Sequence, residues 1–296
     1  MSNPIQAYTD CIRMLGLPPR AEADRGLIME PIASWVAKRC SSTPFVLGVS
    51  GAQGSGKSSF CRLLSTWLEA AHGLRTVELS IDDLYLTKAQ RQALATTVHP
   101  LCAVRGVPGT HDVELGRQIF RDLRTASNDS KTRIPRFHKR DDDRAAMDEW
   151  PVFIGKPDVI LFEGWCVGAT VPPFNAVPTN DREQRDDPEG IWRAWSDEKL
   201  STEYGGLFDP LDALVMIKVP SMDAVREGRW RQEQRLWSDG LPGGTARMTQ
   251  AEVYDFIALY ERLTLHMFES LPQTADFLIL RDERFQYRLA GTPPSS

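Results

Sequence analysis

The sequence predicts an α/β protein with a doubly wound, mostly parallel sheet and a helical N-terminal extension, and three observations lead to this class. Short apolar runs typical of strands alternate with amphipathic stretches of helical period along most of the chain. This alternation is typical of parallel sheets that helices cover on both faces. The 296 residues and 42% hydrophobic content are enough for a large buried core. A glycine-rich turn also joins the first strand to the next helix.

Helices are predicted at the N-terminus, over residues 4–40. Their apolar face is expected to carry Leu27, Ile28, Ile32, Trp35 and Val36. The tetrapeptide SSTP at 41–44 breaks the helical pattern. We therefore assign residues 1–43 to an N-terminal extension and residues 44–296 to the main domain.

The main domain is predicted to alternate strands with helices. Strands are expected at 45–49, 75–81, 158–164, 212–220 and 275–281, the last of which closes the fold, with a short extended piece at 132–138. Helices are expected at 58–72, 88–97, 112–126, 221–237 and 249–271. Asp112 is the expected N-cap of the helix 112–126, and Gly73 is expected to end the helix 58–72. Residues 170–210 are rich in Pro, Asp and Gly, with helical pieces near GIWRAW.

Charge and cysteine content narrow the class of protein. The net charge of −5 argues against a nucleic-acid partner, because such binders are more often basic. The five cysteines are odd in number and have no CxxC spacing, which indicates reduced thiols in a cytoplasmic protein. No signal peptide and no run long enough to span a bilayer is present in the sequence, so no membrane partner is expected.

The stretch between the first strand and its helix fits the phosphate-binding pattern GxxxxGK[ST]. Glycines allow the backbone to turn its N–H groups toward a phosphate, and the following helix adds its N-terminal dipole. Lys57 is expected to reach the terminal phosphates, and the Ser58 hydroxyl to bind Mg²⁺. The predicted nucleotide-binding residues are Gly51, Ala52, Gln53, Gly54, Ser55, Gly56, Lys57, Ser58 and Ser59.

Acidic residues follow two of the predicted strands. Asp82 and Asp83 come at the end of the second strand, where ligands bind in doubly wound sheets. A carboxylate there can accept a proton from an attacking hydroxyl, but a helix cap or turn residue is an equally good explanation. Glu163 ends the strand VILFEG and is the candidate second ligand of Mg²⁺. Adjacent strand residues point to opposite faces, so only one of the two aspartates should face an acceptor.

Several of these segments resemble a known family. Motifs of the uridine kinase, pantothenate kinase and phosphoribulokinase superfamily are resembled by two segments, LSIDDLY and LFEGWCVG. Five further segments resemble D-glycerate 3-kinases: RGVPGTHD, IPRFHKRDDDR, GIWRAW, GRWRQEQRL and YERLT. The resemblance covers roughly residues 44–285. It implies a P-loop kinase fold with ATP and Mg²⁺ as cofactors, Asp82 as catalytic base and a helical lid. Arg229 and Arg231 are the first candidates for the lid cation that neutralises the transferring phosphoryl group.

Two basic groups in loops are candidates for the acceptor site. The predicted acceptor-binding residues are Asp82, Tyr85, Arg105, His111, Arg136, His138 and Lys139. Arginine and lysine suit an acceptor that carries a carboxylate. The acidic run RDDDR at 140–144 is expected to be a solvated charge run.

The sequence therefore favours an ATP-dependent kinase for a small anionic hydroxy acid, with D-glycerate giving 3-phosphoglycerate as the leading hypothesis. Within enzymes, the alternatives are a kinase for a nucleoside, pantothenate or another sugar acid. A different class of protein, an ATP-binding regulator with slow turnover, also stays open. The sequence gives no indication of the oligomeric state.

Overall fold

The computed structural model describes residues 3–173, 177–238 and 248–291. The α-helices are α1 Pro4–Met14, α2 Ala21–Asp24, α3 Glu30–Ala37, α4 Lys57–His72, α5 Lys88–Thr97, α6 Val113–Thr125, α7 Asp181–Asp186, α8 Ile191–Thr202, α9 Gly205–Phe208, α10 Met222–Ser238 and α11 Gln250–Ser270. The strands are β1 Phe45–Gly51, β2 Thr76–Ser80, β3 Lys131–Arg133, β4 Phe137–His138, β5 Asp143–Arg144, β6 Val152–Ile154, β7 Val159–Gly164, β8 Ala213–Lys218, β9 Phe277–Arg281 and β10 Tyr287–Ala290.

Six strands form the central sheet in the order β10-β9-β8-β1-β7-β2. The pairs β9/β8, β8/β1, β1/β7 and β7/β2 are parallel, which confirms the predicted mostly parallel sheet. The predicted strand 275–281 is present as β9 but does not close the fold. The chain turns back and adds β10 as an antiparallel edge strand, with Tyr287 opposite Arg281.

Side chains alternate between the two faces of the sheet, so each face has its own apolar core. On β1, Val46 faces a core formed with α6, α8 and α11, whereas Leu47 and Val49 face a core formed with α4 and the N-terminal helices. On β7, Phe162 and Leu161 divide in the same way. The N-terminal helices thus cover one face of the sheet together with α4.

The prediction for the N-terminal apolar face is wrong at Leu27, whose surface is 66% exposed. A π-helix over Arg25–Met29 connects α2 to α3 and adds residues to one turn, which shifts the period of the face. Ile28, Ile32 and Val36 are buried as predicted.

Two small hairpins stand apart from the central sheet: β3 pairs with β6, and β4 pairs with β5. The second of these carries the segment RFHKRDDDR, whose side chains reach the site described below. Among the residues that the structure describes, no helix combines the length and the apolar content needed to cross a membrane.

Candidate active site

The phosphate-binding loop lies between β1 and α4, as the motif predicts. Gly54 and Gly56 have φ values of 72° and 94°, which side chains resist. Gly51 is required for a different reason, because a Cβ atom there would lie 2.6 Å from the Ser55 hydroxyl. Gly54 and Gly56 are thus required for the backbone conformation, and Gly51 is required because a larger side chain would clash with Ser55.

Two side chains of the β9–β10 hairpin hold the outer carbonyls of this loop. Arg281, only 3% exposed, donates from Nη1 to the Gly54 carbonyl at 2.7 Å. The Tyr287 hydroxyl donates to the Ser55 carbonyl at 3.0 Å. A carbonyl and the next N–H point in opposite directions across a planar peptide, so this bond turns the Gly56 N–H away from Tyr287. Neither role was predicted: Tyr287 lies on β10, which the sequence did not reveal, and Arg281 lies on the predicted strand β9 but contacts a residue 227 positions away.

Lys57, Ser58 and Glu163 meet where the loop enters α4. The Ser58 hydroxyl donates to Glu163 Oε1 at 3.0 Å, and Lys57 Nζ lies 4.0 Å from Oε2. Glu163 Oε2 is buried and has no hydrogen-bond partner among the described residues. An unpartnered carboxylate oxygen beside a hydroxyl fits Mg²⁺, which usually takes one or two protein oxygens and fills its other positions with phosphate and water. Ser58 and Glu163 are therefore the residues that could hold the ion.

Asp82 and Asp83 lie on a 3₁₀ helix, Ile81–Leu84, and not on an extended strand end. The Ser80 side chain accepts the Asp82 N–H and starts this turn, so the alternation expected from a strand does not apply. The two carboxylates nevertheless have separate partners. Asp82 accepts from Lys139 Nζ at 2.6 Å and from the Tyr85 hydroxyl at 3.1 Å. Asp83 accepts from Arg136 at 2.7 Å and from the Phe137 N–H at 3.0 Å, so it is turned toward a neighbouring loop.

The electrostatic environments of the two aspartates also differ. Burial raises the pKa of Asp82, but the charges of Lys139 and Lys57 outweigh burial and hold this pKa well below its usual value. For Asp83 burial is the stronger effect, and its pKa is raised despite Arg136. The lowered pKa of Asp82 therefore keeps this carboxylate ionised to a lower pH than Asp83.

His111 lies next to these groups and is buried as a neutral ring. It stacks on Tyr85 with ring centroids 4.5 Å apart, and burial lowers its pKa to about 4 against the opposing charge of Asp82. The Tyr204 hydroxyl accepts the Gly109 N–H at 2.9 Å and lies 2.6 Å from His111 Nδ1. We infer that Tyr204 donates its proton to Nδ1, so that Nε2 carries the ring proton. Nε2 has no partner among the described residues.

Two other predicted acceptor residues, Arg105 and His138, differ in their surroundings. Arg105 forms an ion pair with Asp142, which also binds the buried Arg91. The interpretation of 140–144 as a solvated charge run is therefore wrong for this part of it, because Asp142 forms ion pairs with two arginines, one of which is fully buried. His138 is about half exposed, and its Nδ1 atom lies 3.6 Å from Asp141 Oδ2.

The predicted lid helix, α10, touches the phosphate loop directly. A Cβ atom on Gly54 would lie 2.5 Å from the carbonyl carbon of Gly228, so the two glycines meet backbone to backbone. Arg229 pairs with Glu233 at 2.9 Å, and its charge acts on the buried Tyr260 phenol together with the charges of Arg105 and Asp82. Arg231 instead pairs with Glu227 and lies over the Phe285 ring at 4.8 Å. The charge of Arg229 thus acts toward Tyr260, whereas Arg231 is directed toward the β9–β10 hairpin.

Comparison with known proteins gives several relatives, although no model of a protein family matches the chain. The chain is 30% identical over 245 residues to the uncharacterized kinase mug58 of Schizosaccharomyces pombe, covering 79% of this chain and 85% of that one. It is 31% identical over 225 residues to the chloroplastic D-glycerate 3-kinase of Arabidopsis thaliana, covering 73% of this chain but 46% of the plant protein. A solved D-glycerate 3-kinase from Cryptococcus neoformans superposes with a TM-score of 0.68 at 24% identity, over 88% of this chain and 97% of the fungal one, and thus shares the fold.

Proposed function

This chain is a kinase of the P-loop superfamily that includes uridine kinase, pantothenate kinase and phosphoribulokinase, close to D-glycerate 3-kinase, and we propose that it phosphorylates D-glycerate with ATP to give 3-phosphoglycerate. The observation that carries this proposal is the pair of Asp82 and Lys139, 2.6 Å apart. The charge of Lys57, the phosphate-loop lysine, also acts on Asp82. An ionised carboxylate that can accept a proton thus stands with a cation that suits an acidic acceptor.

In the proposed reaction the acceptor hydroxyl loses its proton to Asp82 as its oxygen bonds to the γ-phosphorus. The bond from that phosphorus to the bridging oxygen of ADP breaks. Lys57 and the N–H groups of the loop hold the donor phosphates, and Arg229 is the lid cation best placed to neutralise the moving charge. Ser58 and Glu163 would hold Mg²⁺, which supplies further neutralisation of the phosphates when bound. Most of the rate would come from positioning and charge neutralisation.

The acceptor carboxylate is assigned to Lys139, with His111 Nε2–H as a neutral donor nearby. Lys139 is the most exposed cation that contacts Asp82, and its side chain is 62% exposed. Arg105 and Arg136 pair instead with Asp142 and Asp83, so Lys139 is the cation that stands beside the proposed base. An incoming carboxylate would share Lys139 with Asp82, which places the acceptor hydroxyls next to the base.

An ADP-release assay with a panel of acceptors tests this function. The panel contains D-glycerate, glycerol, uridine, pantothenate and ribulose 5-phosphate at matched concentrations with saturating Mg–ATP. We expect D-glycerate to exceed glycerol about a hundredfold in kcat/KM, because glycerol has no carboxylate to accept a charge-assisted hydrogen bond from Lys139. Equal efficiency with glycerol would refute the carboxylate site. A preference for uridine or pantothenate would assign the acceptor to another class of the superfamily, and the absence of turnover with all five would favour the regulatory alternative.

A further inference from the structure

A cavity of about 270 Å³ opens beside the phosphate loop, at Gly54, Gly56 and Ser59. Its walls come from four parts of the chain: residues 17–29 of the N-terminal extension, α4, the lid helix α10 and the β9–β10 hairpin. Among the described residues, those of the proposed acceptor site, such as Asp82 and Lys139, do not line it. The cavity is therefore a second space at the same loop.

The composition of this cavity suits the nucleoside part of a nucleotide. Apolar side chains such as Leu17, Ile28 and Leu63 offer contact area for a base and a ribose. The aromatic side chains Phe285 and Tyr287 also line the cavity. When the phosphates of a nucleotide bind in the loop, its ribose and base must lie beside the loop. This cavity begins at the loop and can therefore hold them. Apolar walls with a few placed polar groups are typical of small-molecule sites.

The N-terminal extension contributes an unusual group to this wall. Asp24 is half-buried, and within the described part of the chain no hydrogen bond or ion pair to its carboxylate is present. Burial raises the pKa of Asp24 to about 6, against the opposing charge of Arg20. A carboxylate withdrawn from water without a donor is unfavourable, so a donor supplied by a ligand would offset that loss.

We propose that residues 17–29 form the nucleoside wall of the donor site, and that the Asp24 carboxylate accepts a hydrogen bond from the exocyclic amino group of adenine. This deepens the proposed function and rests on it only in that the same nucleotide places its phosphates in the loop. It assigns to the N-terminal extension a direct role in donor binding, in addition to covering the sheet.

The test uses the full chain and isothermal titration with three Mg²⁺-bound probes: ATP, purine riboside 5′-triphosphate, which lacks the amino group, and inorganic tripolyphosphate, which lacks the nucleoside. The variant is Asp24→Leu, which removes the acceptor but suits an apolar wall. Glu22→Leu is the matched control, since Glu22 is exposed on the same short helix and does not line the cavity. Asp24→Asn keeps one acceptor oxygen and should restore part of the affinity.

We expect the wild type to bind ATP about tenfold more tightly than purine riboside triphosphate, as fits one hydrogen bond to a charged group. Asp24→Leu should abolish this difference, leave tripolyphosphate binding within about twofold, and melt no lower than the wild type. Ala21→Leu, which narrows the same cavity, should weaken both nucleotides and spare tripolyphosphate.

Two results would overturn the inference alone: an unchanged preference for ATP in Asp24→Leu, or an equal loss of ATP and tripolyphosphate affinity. Because titration with these probes does not involve the acceptor, either result leaves the glycerate assay of the proposed function intact. A wild type that binds ATP no better than tripolyphosphate would overturn the nucleoside site, and failure of turnover as well would overturn the proposed function with it.

Discussion

Two adjacent carboxylates at the end of β2 differ in what a mutation should cost. Asp82→Asn keeps the shape of the side chain but cannot accept a proton, so kcat should fall about 10²–10⁴-fold with little change in ATP affinity. Asp83 binds Arg136 and the Phe137 N–H, so Asp83→Asn should act mainly on stability, by about 1–3 kcal/mol. The measurement is kcat for both variants at saturating ATP, Mg²⁺ and acceptor, with urea unfolding alongside. A more severe loss of kcat in Asp83→Asn would move the catalytic assignment by one residue.

Lys139 sets the pH range in which Asp82 can act. Asp82 must be ionised to accept a proton, so activity that depends on it is present above its pKa and lost as pH falls through it. The charges of Lys139 and Lys57 lower that pKa. Lys139→Met should therefore raise the pKa of Asp82 and move the acidic limb of kcat/KM to higher pH. Arg140→Met, at the exposed next residue, is the control and should leave the limb in place. An unshifted limb in Lys139→Met would separate Asp82 from the observed titration.

At this scale the sequence predicted the residues of the local motifs and missed their distant partners. Lys57, Ser58 and Glu163 come together because one motif and one strand end place them at the same edge of the sheet. Asp82 and Asp83 do not follow the alternation predicted for a strand, because the Ser80 hydroxyl accepts the Asp82 N–H and a 3₁₀ turn begins there. The bonds from Arg281 and Tyr287 join positions more than 220 residues apart in the sequence, and no local period encodes them.

Among the elements, the β9–β10 hairpin has the clearest expected effect on donor binding. Tyr287→Phe removes only the hydroxyl that holds the Ser55 carbonyl, so the loop should lose its preferred orientation at Gly56. We expect a several-fold higher KM for ATP, with kcat and the KM for the acceptor nearly unchanged. The control is Arg288→Met, on the same strand and exposed. Equal effects on ATP and acceptor would indicate a general loosening of the fold and not the positioning of one peptide.

Most helices and strands were predicted within a few residues, but β10 was not. The helices have strong periods and caps, such as Asp112 for α6 and the Gly73 terminus of α4. By contrast, β10 has four residues, follows a charged turn and pairs on one side only, so its alternation is too short to stand out. The π-helix at Arg25–Met29 was not predicted either, because one residue added to a turn leaves the overall helical pattern of the sequence intact.

For the whole molecule, the shared core predicts that the N-terminal extension and the main domain unfold together. Tyr8 packs on Trp67 with ring centroids 5.9 Å apart, and Trp35 packs on Phe277 at 5.1 Å. Ile32→Ala, at a fully buried site, should therefore lower the free energy of unfolding of the entire chain by about 2–5 kcal/mol in a single transition. Leu27→Ala, at the exposed position, should change it by less than about 0.5 kcal/mol. Two separate urea transitions would show that the extension is an independent unit.

The hairpin that holds the phosphate loop also sets an order of events during synthesis. A ribosome makes Gly54 227 residues before Arg281, and it makes Ser55 232 residues before Tyr287. N-terminal segments of a growing chain can fold before the rest is made, yet here the loop remains without its two outer supports until β9 and β10 have been made. We therefore expect nascent chains stalled before β10 to bind labelled ATP weakly, and chains released after it to bind at full strength. The enzyme would then acquire its full nucleotide affinity only after β10 has been translated.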